Sequence, residues 1–124
     1  AAVSLCGRGW WLGDGWATWS RSRIARLRVR TPSPPGNLEV RVAPPPFAGR
    51  ARTSVLVWAR GSRPQVVRFH GMAPVAVVLP MEGGVVRDVW FLAPRLVVPN
   101  RVLGNGDRRR LAVALVHVGW SGAR

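Results

Sequence analysis

From residue 23 onward, apolar and polar positions alternate with a period of two, and no stretch carries an apolar stripe at helical spacing. Across residues 23–30, Ala25, Leu27 and Val29 fall on one face and Arg26, Arg28 and Arg30 on the other, as a half-buried strand requires. The same alternation or a short apolar run predicts strands over residues 38–42, 53–59, 65–70, 75–79, 85–92 and 111–118. Within 53–59, Val55, Val57 and Ala59 share one side while Leu56 and Trp58 share the other, a pattern compatible with cover on both faces. Residues 85–92 carry Trp90 and Phe91 side by side.

Glycine and proline punctuate these segments. Residues 31–36, with three prolines before Gly36, read as a turn, because proline fixes φ and withholds a donor while glycine tolerates φ above zero. Pro44, Pro45 and Pro46 make a stiff connection, and Gly61-Ser62-Arg63-Pro64 has the spacing of a hairpin turn. Residues 93–95 start a crossing segment to Pro99 and Asn100, and residues 103–107 form a tight glycine-rich loop. Short strands separated in this way predict an all-β fold, an antiparallel β-sandwich of jelly-roll-like form. The 124 residues fit one such domain over 1–124, with no internal repeat and no low-complexity tail.

A hydrophobic fraction of 48% marks a chain that folds. The net charge of +14 makes polyanions natural partners, among them acidic polysaccharide, anionic lipid and nucleic acid, with strong salt dependence. All 19 basic residues are arginine, and tyrosine is absent while Ala, Gly, Pro, Val and Trp abound. Those residues share GC-rich codons, so base composition accounts for part of the arginine. The arginines also spread from Arg8 to Arg124, and the run in residues 23–30 reads as a solvated strand face rather than a binding patch. Cys6 stands alone, which excludes an intrachain disulfide and a cysteine-built metal site. No transmembrane segment is expected, since no apolar run approaches the roughly 18–20 residues a spanning helix needs. No signal-peptide pattern opens the chain. The first residue is alanine, as in a processed chain or a piece of a longer one.

Four of the seven tryptophans, Trp10, Trp11, Trp16 and Trp19, fall in a polar, glycine-broken stretch with Asp14. Indole buries a large apolar area but keeps one N–H that needs a partner, so a sugar ring, a nucleobase and a sandwich core all accept such a cluster. Trp16 and Trp19 also read as core residues at the sandwich edge. Trp10 and Trp11 are adjacent and point opposite ways in an extended chain, so one of them is the better ligand candidate. Asn105, Asp107 and Arg108 lie in a loop able to present donors to hydroxyls or an anion, and Asn-Gly-Asp is equally ordinary turn chemistry.

Catalytic patterns are sparse. A glycosidase needs two carboxylates about 5–10 Å apart, whereas Asp14, Glu39, Glu82, Asp88 and Asp107 are scattered, with Glu39 on an outward strand face and Glu82 in a turn. Calcium, which takes about six to eight oxygen ligands, is poorly served by the same five groups. There is no His-x-x-x-His pattern, phosphate-cradling loop or nucleophile elbow. His70 and His117 read as strand-end and sheet residues, and Cys6 as a buried inert thiol.

The order of signals resembles a known family. Gly9-Trp10 with Trp16-Ala17-Thr18-Trp19-Ser20, the strand from Ala25 to Val29, the strand and turn at residues 55–62, and Leu103-Gly104-Asn105-Gly106-Asp107-Arg108-Arg109-Arg110-Leu111 together resemble the non-catalytic C-terminal β-sandwich module of bacterial phosphoglycerol transferases and envelope-polysaccharide glycosyltransferases. The similarity covers nearly the whole chain, with Ala17 where glycine is usual and the last leucine one position displaced. It implies a module without a reaction centre or cofactor, acting outside the cytoplasm, at the periplasm or cell surface, on a bacterial surface glycan. Trp10, Trp11, Asp14, Trp16, Asn105, Asp107 and Arg108 are the candidate ligand-binding residues, for a glycan or acidic polysaccharide. The competing expectation is an arginine-rich structural component of a nucleoprotein or viral assembly that meets phosphate or neighbouring protein subunits.

Overall fold

The computed structural model describes residues 2–5, 10–11, 17–45 and 53–122. Their strands are β1 (Ala2–Leu5), β2 (Thr18–Trp19), β3 (Ile24–Arg30), β4 (Gly36–Ala43), β5 (Thr53–Ala59), β6 (Gln65–Phe69), β7 (Val75–Met81), β8 (Val86–Leu92) and β9 (Ala114–Gly122), with one helical turn, α1 (Pro99–Leu103). Among the described residues the strands form two antiparallel sheets, one of five strands in the order β1-β3-β8-β5-β6 and one of four in the order β2-β9-β4-β7. Except for the β5–β6 hairpin, each connection from β3 to β9 carries the chain from one sheet to the other. The result is the all-β, jelly-roll-like sandwich that the period-two pattern predicts.

The core forms where the inward faces meet. Ala25, Leu27 and Val29 of β3, Val55, Val57 and Ala59 of β5, and Val89 and Phe91 of β8 face Leu38, Val40 and Val42 of β4 and Val77 and Leu79 of β7. Alternation therefore sets one buried and one outward row on each strand, and the arginines of β3 lie on the outward row. Removing these side chains from water is the main force that holds the sheets together. A smaller cluster of Ala17, Trp19, Ala43, Leu111 and Ala114 closes one edge. There Ser20 is fully buried, and its hydroxyl accepts the Val113 amide at 2.9 Å.

Several segments depart from the pattern reading. Gly36, expected to end a turn with φ above zero, instead opens β4 without it, paired with Met81 and Gly122. The last strand begins at Ala114 rather than residue 111 and runs on to Gly122. Residues 111–113 are held instead by the Val97–Leu111 bridge and by Ser20, while residues 119–122 pair with the start of β4. A bulge opposite Arg41 and Val42 resets the register, so that His117 lies beside Arg41. The crossing segment expected from residues 93–95 to Pro99 and Asn100 ends in the helical turn α1. Pro99 at its first position and Gly104 beyond its end, at φ 64°, bound a helix too short to leave a periodic signature. Strands β1 and β2 escape prediction because four and two residues are too few for alternation to register. Cys6 lies outside the described residues.

Candidate functional site

The sequence places its first candidate cluster around Trp10 and Trp11, and the structure separates the two. Trp10 is a core residue, 8% exposed, with its ring edge-on to Phe91 at 5.8 Å and its indole N–H donating to the Arg26 carbonyl at 2.9 Å. Its ring is thus part of the sandwich core, the role that the sequence left open for this cluster beside ligand binding. Trp11 turns the other way and is half-buried at the second cluster. Its N–H donates to the Arg110 carbonyl at 2.9 Å, and the Arg21 guanidinium covers its ring at 4.0 Å. Asp14 and Trp16 lie outside the described residues.

The loop that was the second candidate is bound up in its own turn. The Asn105 side chain accepts the Asp107 amide at 3.0 Å, and Asn100 accepts the Gly106 amide at 2.8 Å. Both oxygens of Asp107 are taken by Arg109, at 3.0 Å from Nε and 2.8 Å from Nη2. That hydrogen-bonded arginine holds the Asp107 carboxyl below its ordinary pKa. Asn105 and Asp107 thus bond within the turn, which is the alternative the sequence left open. Arg108 is exposed. The Trp11–Arg110 bond is what brings the two candidate segments into contact.

A different constellation emerges on the outward face of the five-stranded sheet. Pairing sets Arg26, Trp90 and Trp58 in one row across β3, β8 and β5. The neighbouring row is Ile24, Leu92, Leu56 and Val66, and the row on the other side sets Arg28 beside Asp88. The indoles of Trp58 and Trp90 stack at 6.2 Å between centroids and 14° between planes. The Arg26 guanidinium lies 5.3 Å from the Trp90 ring centroid. Asp88 accepts from Arg28 Nε at 3.1 Å and approaches Arg26 Nη1 at 3.5 Å. Ile24 and Val66, 52% and 60% exposed, leave the apolar row open to solvent.

Rigid elements hold this face, because every contributing side chain stands on a paired strand whose opposite row is locked in the core. Its chemistry combines flat apolar surface, guanidinium donors and one carboxylate acceptor, the set that packs on the C–H face of a sugar and takes its hydroxyls. Sequence parity contained part of the signal: Trp58 alternates with buried Val57 and Ala59, and Trp90 with buried Val89 and Phe91, so both indoles point outward. That they are neighbours depends on β5 pairing with β8.

The carboxylates stand apart from one another in function. Glu39 pairs with Arg41 at 2.8 Å, Asp88 with Arg28, Asp107 with Arg109, and Glu82 lies 3.7 Å from Arg87. Among the described residues, no three His, Cys, Asp or Glu side chains gather in a group able to hold a metal ion. No helix among them is long and apolar enough to cross a membrane.

No family model and no curated protein matches the sequence. Among solved structures, the chain is similar over its full length to a part of a glycoside hydrolase family GH115 4-O-methyl-α-glucuronidase with specificity for decorated arabinogalactans, at 13% identity and a TM-score of 0.53. It spans 16% of that enzyme's chain. It is also similar over 97% of its length to a part of an exo-β-1,3-galactanase from Phanerochaete chrysosporium, at 15% and 12% identity and TM-scores of 0.48 and 0.46 in two structures, spanning 26% of that chain in each. At such identities the likeness is one of fold.

Proposed function

We propose that this chain is a non-catalytic glycan-binding β-sandwich, with the outward face of its five-stranded sheet as the binding surface. The observation that carries this reading is the Trp58–Trp90 stack framed by Arg26. Two nearly parallel indoles on a solvent-facing sheet offer a sugar chain an apolar track, while Arg28 and Asp88 at its edge supply donors and an acceptor for hydroxyls. The net charge of +14 favours acidic glycans. The carboxylates that a hydrolase would need are, among the described residues, committed to arginines or exposed beside one, which supports binding over catalysis. Sharing a fold with part of an enzyme specific for decorated arabinogalactans fits a sandwich attached to a larger carbohydrate-active protein. The finer reading follows the sequence resemblance: an accessory module of an envelope-glycan transferase, acting outside the cytoplasm on a bacterial surface glycan.

The test is binding of the intact chain to acidic and neutral polysaccharides, including arabinogalactan, at low and high salt, beside Trp58→Ala and Trp90→Ala. The expected result is selective binding that survives high salt and weakens roughly 2- to 12-fold in each variant, equivalent to the ~0.5–1.5 kcal/mol of one aromatic contact. Uptake of every polyanion alike, nucleic acid included, abolished by salt and indifferent to both substitutions, overturns the reading in favour of generic electrostatics.

A further inference from the structure

At one end of the sandwich a cleft of about 450 Å³ opens between the sheets, lined among others by Arg60, Gly61, Pro80, Met81, Glu82 and Arg87. This volume lies within the range of roughly 300–1,000 Å³ typical of small-molecule sites. Its walls are pre-formed. Thr31 is buried, and its hydroxyl accepts the Val85 amide at 3.1 Å and lies 3.1 Å from the Glu82 carbonyl; the Gly84 amide donates to the Pro32 carbonyl at 2.6 Å. These bonds pin the β7–β8 turn to the segment before β4. A Cβ on Gly83 would collide with the Ser33 carbonyl and Pro34, so this turn sits too close to its neighbour for any larger residue. On the other wall Gly61, at φ 85°, shapes the β5–β6 turn that carries Arg60.

The polar groups in this cleft are unequal. Arg87 is one-third exposed at its side chain, and its nearest carboxylate, Glu82, is 79% exposed and 3.7 Å away, too far for a hydrogen bond. Arg60 is exposed, and among the described residues no ion pair engages it. Two arginines therefore line a concave site whose one acidic side chain is solvated and loosely placed, with Pro80 and Met81 as its apolar lining. Guanidinium presents a planar fork that matches a carboxylate with two parallel hydrogen bonds, and the apolar floor suits the C–H surface of a ring.

We infer that this cleft is a binding site for a carboxylated sugar, with Arg87 and Arg60 holding the carboxylate. The site is separate from the Trp58–Trp90 face and does not depend on it: the cleft takes one acidic residue or chain end, whereas the sheet face takes a stretch of chain.

The experiment follows amide shifts of the whole protein by NMR during titration with D-glucuronate, D-glucose and inorganic phosphate at fixed ionic strength. Saturable shifts at Asn37, Gly61 and Glu82 with glucuronate, and none with glucose, are expected. The fitted affinity should fall at least about tenfold in Arg87→Met and in Arg60→Gln, and stay within about twofold in Trp58→Ala. Unchanged spectral dispersion in both arginine variants shows that they fold. Phosphate shifting the same amides as strongly as glucuronate overturns the assignment, because the cleft is then a general anion site. Equal affinity in the wild type and both arginine variants overturns it as well. Loss with Trp58→Ala alone would place glucuronate on the sheet face, which refutes the cleft while leaving the glycan-binding proposal standing.

Discussion

Trp58 and Trp90 occupy directly paired positions on β5 and β8, and their indoles stack at 6.2 Å on the side of the sheet that faces away from the core. Each ring is half-buried, partly by the other. Such a pair shields apolar surface in the free protein. Their mutual contact should thus be measurable without any ligand. In a double-mutant cycle of Trp58→Ala and Trp90→Ala followed by urea unfolding, a coupling of about 0.5–1.5 kcal/mol is expected. Additive single effects would mean that the rings do not touch in solution.

Trp10 and Trp11 are neighbours in sequence with opposite fates, and their substitutions should differ accordingly. Trp10→Ala removes a buried ring that packs on Phe91 and bonds Arg26, and should cost about 3–5 kcal/mol. Trp11→Ala removes one hydrogen bond and one cation–π contact at a half-exposed site, and should cost about 1–2 kcal/mol. Denaturant midpoints of the two variants decide it. Equal losses would contradict the different burial of the two rings.

Asp107 provides a pH signature. Its bonds to Arg109 depress its folded pKa below the ordinary value, so the stabilisation it brings is complete above the unfolded pKa of about 4 and is lost as pH falls through the lower folded pKa. An NMR titration of the Asp107 carboxyl should give a midpoint below the ordinary aspartate value in the wild type and close to that value in Arg109→Gln. The effect on stability is small, because the pair is partly solvated. A wild-type midpoint at the ordinary value would remove Arg109 as its partner.

The amino-acid order by itself determined which rows of side chains turn inward. Alternation in residues 24–30, 53–59 and 86–92 follows from the two-residue repeat of an extended chain, so Leu27, Val57 and Phe91 had to share the buried side of their strands, and Arg26, Trp58 and Trp90 the other. Proline and glycine likewise set the breaks at residues 31–35 and 60–64, because their φ restrictions act locally, although Gly36 opens β4 without a positive φ. Only the tertiary structure decided which outward rows became neighbours. Trp58 and Trp90 are 32 residues apart, and their stack exists because β8 inserts between β3 and β5, a choice made by the packing of the whole sandwich. The same holds for Trp10 against Trp11, where adjacency required opposite directions but only the position of β3 and Phe91 decided which ring entered the core. The end cleft was equally invisible to local pattern, since Arg60, Arg87 and Asn37 come from three separate strands or turns that meet only when the two sheets close.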